Sequence, residues 1–241
     1  MTILTNEELA TIQTSIDEKI ERAESFGLSM HVDDDLRKWK EHIEGVPGTT
    51  GASRTLDPAV NDVRPGNSFW VYLQETSGRI VACHANRFLE SEDFVREYIS
   101  THRFFGDRHP TLHHFPVQYC DSVPVIGGRI DFGAGTWVHP DYRGKALSGL
   151  ISRTGRMLAL RHFLIDYYIA FIAATGRRRE YGANGLGLAN RRHLLTGLYP
   201  GRGGKLDVDI YWMHRGEMMN QIAAELMASS GSREELMIRT A

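Results

Sequence analysis

The sequence predicts an α+β fold, a mixed twisted sheet with helices on its faces, and three observations predict it. A β-hairpin pattern spans residues 69–88, an apolar run at 165–174 has the length of a strand covered on both faces, and single-striped helical patterns lie around them. At 241 residues, with 41% hydrophobic and 24% charged side chains, the chain can bury a full core, which excludes collagen-like, disulfide-scaffold and disordered classes. Glycine is the skewed count at 24 residues, many of them between Gly127 and Gly204, so the second half needs permissive backbone.

Thr5 followed by Glu8 forms a capping box, and Leu9, Ile12, Ile16 and Ile20 repeat at helical spacing. A second helix follows Asp33, Asp34 and Asp35, whose charge suits a helix N-terminus, with Leu36, Trp39 and Ile43 inward and Gly45 closing it. Residues 45–66 are turn-rich and aperiodic, so residues 1–65 form an N-terminal helical extension and linker. The hairpin follows, with strands at 69–73 and 80–88 around a turn at 76–79, and Ser91 caps a short helix over 91–100. Residues 102–128, interrupted by Pro110, Pro116 and Pro124, read as an irregular excursion. The strand at 129–138 is broken by Gly133 and Gly135, which mark a bulge or a close backbone approach. A helix over 146–163 places Leu147, Leu150, Ile151, Thr154 and Leu158 on one face and leads to the buried strand. A Gly- and Arg-rich helical stretch to Thr196, a turn at 199–201, a strand at 205–213 and an amphipathic helix with Met219, Ile222, Ala223 and Leu226 complete the chain. The main domain is 66–215, and 216–241 is a C-terminal helix and tail.

With 28 basic and 30 acidic side chains the net charge is −2, so no global field recruits nucleic acid or an anionic membrane, and any anion site must be local. Cys83 and Cys120 have no metal or secretory spacing and read as buried small hydrophobes in a reducing compartment. The N-terminus lacks the basic start and apolar run of a signal peptide, and the most hydrophobic stretch, 157–175, carries Arg161, His162 and Asp166. A cytoplasmic protein without membrane or nucleic-acid partners is expected.

The chemistry concentrates at residues 136–149, where a strand leads through a turn into a helix. The first N–H groups of a helix have no internal partner and its dipole favours negative charge, so such a junction is ready to hold an anion. Arg143 and Lys145 add two cations there, and Gly144 permits close approach. An ordinary strand–helix connection with two solvated cations gives the same pattern. Two other phosphate loops are excluded: after Gly133-Ala134-Gly135 the third dinucleotide-motif glycine is Val138 and Pro140 bars a helix start, and the P-loop spacing from Gly128 to Gly133 meets Ala134 where lysine belongs. No Gly-x-Ser-x-Gly elbow occurs.

Val138, Pro140, Tyr142, Arg143 and Gly144, between strand and helix, resemble the V-x-P-x-Y-R-G signature of the GNAT superfamily of acyl-CoA-dependent N-acyltransferases. The family's R/Q-x-x-G-x-G/A pyrophosphate loop falls on residues 143–148, where Ala146 and Ser148 depart from it. The resemblance covers roughly 66–215 and implies a GNAT-like sheet, with acetyl-CoA or another acyl-CoA as co-substrate and no metal. The backbone at Trp137 and Val138 would part from its neighbouring strand and hold the pantetheine arm, while amides of Arg143, Gly144, Lys145, Ala146, Leu147 and Ser148 would hold the pyrophosphate. The acceptor would be an amine of a small molecule or peptide. Direct attack needs a base, an oxyanion donor and an acid for the thiolate. The resemblance nominates Asp131 as base and Tyr199 as acid, with Asn190 near the pantetheine. Each has a plainer reading, as a solvent-facing carboxylate, a turn tyrosine and an exposed helix asparagine.

His102, His109, His113 and His114 cluster in the excursion, and His109 and His113 have helical metal-pair spacing, but Pro110 and the lack of a partner carboxylate or thiolate favour a pocket wall or oligomer contact. Arginines 177–179 and 191–192 suit the adenosine 3′-phosphate, an acidic substrate or a solvated helix face. The exposed face of the terminal helix is a homodimer contact. Three functions follow: N-acyl transfer, a catalytically silent acyl-CoA-binding or regulatory protein, and a metal hydrolase resting on the histidines alone.

Overall fold

The computed structural model describes residues 3–47, 49, 51–101, 103–106, 118–119, 123–175, 180–198 and 205–240. Helix α1 (Asn6–Glu24) starts at the expected capping box: Thr5 Oγ1 accepts from the Glu8 amide at 3.1 Å and Glu8 accepts from the Thr5 amide at 2.7 Å. Helix α2 (Leu36–Gly45) is capped by Asp35, whose carboxylate accepts from the Arg37 amide at 3.0 Å, and it buries Leu36, Trp39 and Ile43 as its periodicity requires.

Strands β1 (Leu28–Asp33), β2 (Ser68–Glu75), β3 (Ile80–Ser91), β4 (Gln118–Tyr119), β5 (Gly128–Val138), β6 (Tyr167–Ala173), β7 (Asn190–Leu198) and β8 (Lys205–His214) form one sheet ordered β1-β2-β3-β5-β6-β8-β7-β4. Helix α3 (Leu147–Phe163) joins β5 to β6, which run parallel; the other adjacent pairs are antiparallel. A parallel pair needs a long crossover, and α3 is that crossover. Helix α4 (Arg215–Thr240) follows β8 and lies along α1, where Lys19 meets Glu225 at 3.0 Å.

Each sheet face carries its own core. Trp39, Trp70, Phe94, Phe104 and Phe132 pack on the α2 face. Ile12, Met157, Leu160, Tyr168 and Met213 pack on the α3 face. β6 is buried because it faces both, which is why its sequence is an unbroken apolar run.

Three expectations change. Residues 28–33, assigned to a helical extension, pair with β2 over six positions, so the line at residue 65 cuts through a single sheet. Among the described residues, the stretch read as helical to Thr196 holds a π-turn, Tyr181–Gly185, and then β7. Glycines 185 and 187 weaken a helix there, and the edge pairing with β8 supplies the backbone partners instead. The short helix after Ser91 likewise contracts to a π-turn, Val95–Ile99. Among the described residues no helix is long and apolar enough to cross a membrane.

Candidate functional site

Strand β5 is zipped to both neighbours only at its start. It pairs with β3 from Gly128 to Val138, but with β6 only through Ile130, Asp131 and Phe132. Beyond Phe132 the two parallel strands part, and among the described residues the β5 edge facing β6 has no ladder partner. The β3 side carries the bulge that the glycines predict: Cys83 pairs with Trp137 and Ala85 with Ala134, so β5 spends one extra residue opposite His84. Gly135 sits there at φ +66°, and a Cβ on it would overlap the Trp39 ring. Conformation and space both demand glycine.

Polar side chains form the floor beneath the parting point on the α3 face. Thr136 Oγ1 lies 2.7 Å from His84 Nδ1, His84 Nε2 lies 3.3 Å from the Tyr168 hydroxyl, and that hydroxyl lies 3.3 Å from Ser152 Oγ on α3. Burial pushes the His84 imidazole down to about 3, so it is neutral, with one nitrogen donating and the other accepting. The four groups therefore form a chain of one direction, ending at Thr136, which is only partly buried. Gly133 makes room for it: a Cβ there would overlap the Tyr168 hydroxyl and stand 2.8 Å from His84 Nε2. Arg156 covers the Tyr168 ring at 5.3 Å and donates to Gln221 Oε1 at 2.7 Å.

Asp131 belongs to the same floor. It is fully buried, and its Oδ2 accepts from Asn86 Nδ2 at 2.6 Å. Asp131 Oδ1 and Asn86 Oδ1 are buried acceptors with no donor among the described residues. Burial raises the carboxyl well above its ordinary range, against the lowering effect of the Asn86 bond and the Arg156 charge. A carboxyl buried under α3 is not the solvent-facing carboxylate of the plainer reading.

The turn after β5 is clamped to the hairpin. The His139 amide donates to Val81 O at 2.8 Å, and the Tyr142 hydroxyl donates to Glu75 Oε1 at 2.6 Å. Glu75 is held down to about 2, chiefly by Arg79 and then by Tyr142. Gly144 follows at φ +81°, then Ala146 caps α3 at φ 56°, ψ 22° with no side-chain bond to the helix amides. The Leu150 amide already donates to Ala146 O at 3.2 Å. The earlier amides of the first turn, at Leu147, Ser148 and Gly149, gain no bond from the cap. Arg143, Gly144, Lys145 and Ala146 are exposed beside them, and Lys145 lies over the Tyr142 ring at 4.6 Å.

The parted β5 segment and this uncapped helix end are therefore consecutive in the chain. Trp137 turns its ring to the α2 face, edge-on to His42 at 5.4 Å, and Val138 packs toward the α3 N-terminus. Tyr181, in the π-turn after β6, has its phenol bonded to Ser148 and pushed up by burial. Asn190 opens β7 rather than a helix, two strands beyond β6, and its amide is spent on Glu217 at 2.9 Å and Trp212 O at 3.3 Å. Tyr199, the four clustered histidines, arginines 177–179 and Cys120 lie outside the described residues. Cys83 is buried, as read, with burial pushing its thiol up to about 12. Two polar residues at i and i+2 in the otherwise apolar segment 80–86 were the available sign that His84 and Asn86 share an inward face.

No family model matches the chain and no curated protein does. Similar solved structures include Arabidopsis thaliana NAA60 in complex with acetyl-CoA, at 11% identity and TM-score 0.47 over 77% of this chain and 99% of that one. The Drosophila melanogaster polyamine N-acetyltransferase aligns at 14% identity and TM-score 0.42 over 77% and 100%. A GNAT-family acetyltransferase from Streptococcus pneumoniae aligns at 8% and 0.40 over 77% and 99%. Independently of these, the mixed sheet, the parting of its parallel pair at the bulge and the helix that follows the V-x-P-x-Y-R-G turn are the features that the signature implied, and they make the fold GNAT-like.

Proposed function

We propose that the protein is an acyl-CoA-dependent N-acyltransferase that moves an acetyl or other acyl group to an amine. One observation carries the reading: the unpaired edge of β5 runs directly into a helix N-terminus that no side chain caps and that two exposed cations flank. An extended amide-bearing arm ending in a pyrophosphate is the ligand that such a surface complements. The amides of Leu147, Ser148 and Gly149, with Arg143 and Lys145, would take the pyrophosphate. The free edge from Gly133 to Val138 would pair with the pantetheine amides as a strand does.

The amine nitrogen attacks the thioester carbonyl, the C–S bond breaks, and an amide and free CoA result. The attacking nitrogen loses a proton and the thiolate gains one. Asp131, the base that the resemblance nominates, is fully buried, with its carboxyl raised by that burial. Tyr181 keeps its own proton and is joined to the α3 end through Ser148, so it is our candidate acid for the thiolate beside Tyr199, the tyrosine that the family pattern suggests. The Thr136 hydroxyl, oriented from below by His84, is the side-chain donor at the bulge that we assign to the developing oxyanion.

The test is thermal unfolding with CoA and acetyl-CoA, followed by thiol release with a panel of amines. A ligand at about 100 times its Kd stabilises by about 2.7 kcal/mol. We expect that stabilisation in the wild type and its loss in Arg143→Glu. No stabilisation by any acyl-CoA overturns the reading; stabilisation without thiol release from any amine replaces it with a silent acyl-CoA binder.

A further inference from the structure

A second cavity, of about 540 Å³, opens on the α2 face at the far end of β3 from the α3 N-terminus. It lies within the size range of small-molecule sites. Arg87, Arg103, Arg64, Asp62, Glu90 and Tyr98 supply its charged and hydroxyl groups. Three of the charges are answered at the rim: Arg64 and Asp62 pair with each other at 3.4 Å, and Glu90 pairs with Arg129 at 3.7 Å.

Arg87 and Arg103 are different. Arg87 is only 6% exposed, and among the described residues no carboxylate lies within ion-pair distance of it. One nitrogen, Nη1, donates to Thr55 O at 2.9 Å and to Asn61 Oδ1 at 3.3 Å, and the guanidinium lies over the Phe104 ring at 5.4 Å. Neutral partners fix its orientation, and the carboxylate that acts on its charge, Asp62, stands beyond ion-pair distance and is itself paired with Arg64. A buried charge without a counter-charge is costly, and fixed guanidinium forks recognise carboxylate or phosphate groups. Arg103 lies over the Tyr98 ring at 5.4 Å, also with no carboxylate among the described residues.

The cavity is lined from β3, the strand next to β5. Arg87 pairs in register with Phe132, the last β5 residue held by β6, so one strand spacing, about 4.8 Å, separates its backbone from the parting point. Phe104 lies between, beneath Arg87 and edge-on to Phe132 at 4.7 Å.

We propose that this cavity is the acceptor's anion subsite: the amine acylated at the gap also carries a carboxylate or phosphate group, bound by Arg87 and Arg103. The proposal rests on the acyl-transfer reading and specifies its substrate class. Its ligand holds its anion in the cavity and its amine toward the gap.

The experiment has a binding arm and a turnover arm. In an Arg143→Glu background, which removes phosphate binding at the α3 end, inorganic phosphate should raise the melting temperature. Adding Arg103→Gln should abolish that shift; Arg87→Lys, which keeps the charge but not the fork, should weaken it. With Arg143 intact, acetyl-CoA thiol release should favour phosphoethanolamine over ethanolamine, or amino acids over their methyl esters, by about tenfold or more. Arg103→Gln should bring that ratio toward one, and the preferred pair distinguishes phosphate from carboxylate. An equal phosphate shift with and without Arg103→Gln, or turnover indifferent to the anionic group, overturns the subsite. Thiol release without an arginine-dependent phosphate shift likewise overturns it while sparing acyl transfer, whereas that shift without thiol release from any amine keeps the cavity as an anion site and overturns acyl transfer.

Discussion

The two halves of β5 belong to one strand and behave as two structures. Ile130, Asp131 and Phe132 have partners on both sides, β3 and β6, whereas the residues from Gly133 to Val138 are paired on the β3 side alone. Side chains make the difference. In the first half bulky residues fill the α2 face, with Phe132 edge-on to Phe104 at 4.7 Å and to Phe171 at 5.1 Å. At Gly133 the α3 face is taken over by a phenol reaching from β6 and an imidazole reaching from β3, and two residues later the bulge begins. The strand is thus closed where apolar packing is complete and open where a polar floor lies beneath it. A sheet can expose its own backbone at a chosen place by replacing side chains there with glycine and supporting the opening from below.

The strongest way to break that contrast is to refill the junction. Gly133→Val drives two methyl groups into the space of the Tyr168 hydroxyl and His84 Nε2. Overpacking of this kind costs about 3 kcal/mol or more, to be read as a fall in the urea unfolding midpoint. Gly133→Ala in a Tyr168→Phe background should cost less than Gly133→Ala alone, because the overlapping oxygen is gone. Equal costs in the two backgrounds would mean that the phenol is not what excludes the side chain.

A smaller effect, with a sign for each residue, comes from the two buried titrating groups of the floor. His84 is neutral when folded, at about 3, and titrates near 6.5 when unfolded, so its stabilisation is complete above about 6.5 and is lost as pH falls toward 3. Burial raises the Asp131 carboxyl above the value of about 3.9 at which it ionises when unfolded, so its stabilisation is complete below that value and is lost as pH rises toward its folded pKa. Between about pH 4 and 6.5 the two slopes oppose, each up to about 1.4 kcal/mol per pH unit. Asp131→Asn should leave a variant whose stability rises with pH across that window, and His84→Gln one whose stability falls, as read from urea unfolding at a series of pH values. Parallel slopes in the two variants would show that one of these groups is charged in the fold.

The closed half of the site was the legible one. Apolar periodicity found α3 to within a residue and the buried strand β6, because both are set by burial, which composition records directly. The bulge was legible too, since Gly135 needs a conformation and a space that only glycine allows. Asp131 was read as exposed because a lone acid near a strand start gives no hint of the Asn86 that pairs with it 45 residues away. His84 was hidden for the same reason: its partners, Thr136 and Tyr168, come from two other strands. Strand β1 escaped because its pattern is that of a half-covered edge, with Val32 53% exposed, and only its pairing with β2 defines it.

The smallest effect sharpens the open half. Ala146 holds the left-handed conformation, φ 56°, ψ 22°, at the mouth of the uncapped helix, where the family pattern places glycine. An L-residue pays about 1–2 kcal/mol for that conformation, whereas glycine adopts it freely but loses about 0.4–1 kcal/mol through its more disordered unfolded chain. The first quantity is larger, and the exposed methyl makes little packing to forfeit, so Ala146→Gly should stabilise the protein by about 0.5–1 kcal/mol. The helix amides at residues 147–149 would at the same time lose a methyl neighbour, so the stabilisation added by CoA should be at least as large as in the wild type. A variant less stable than the wild type would show that the strain at 146 is not there to relieve; a gain in stability with a loss of CoA binding would show that the methyl, not glycine's freedom, shapes the anion site.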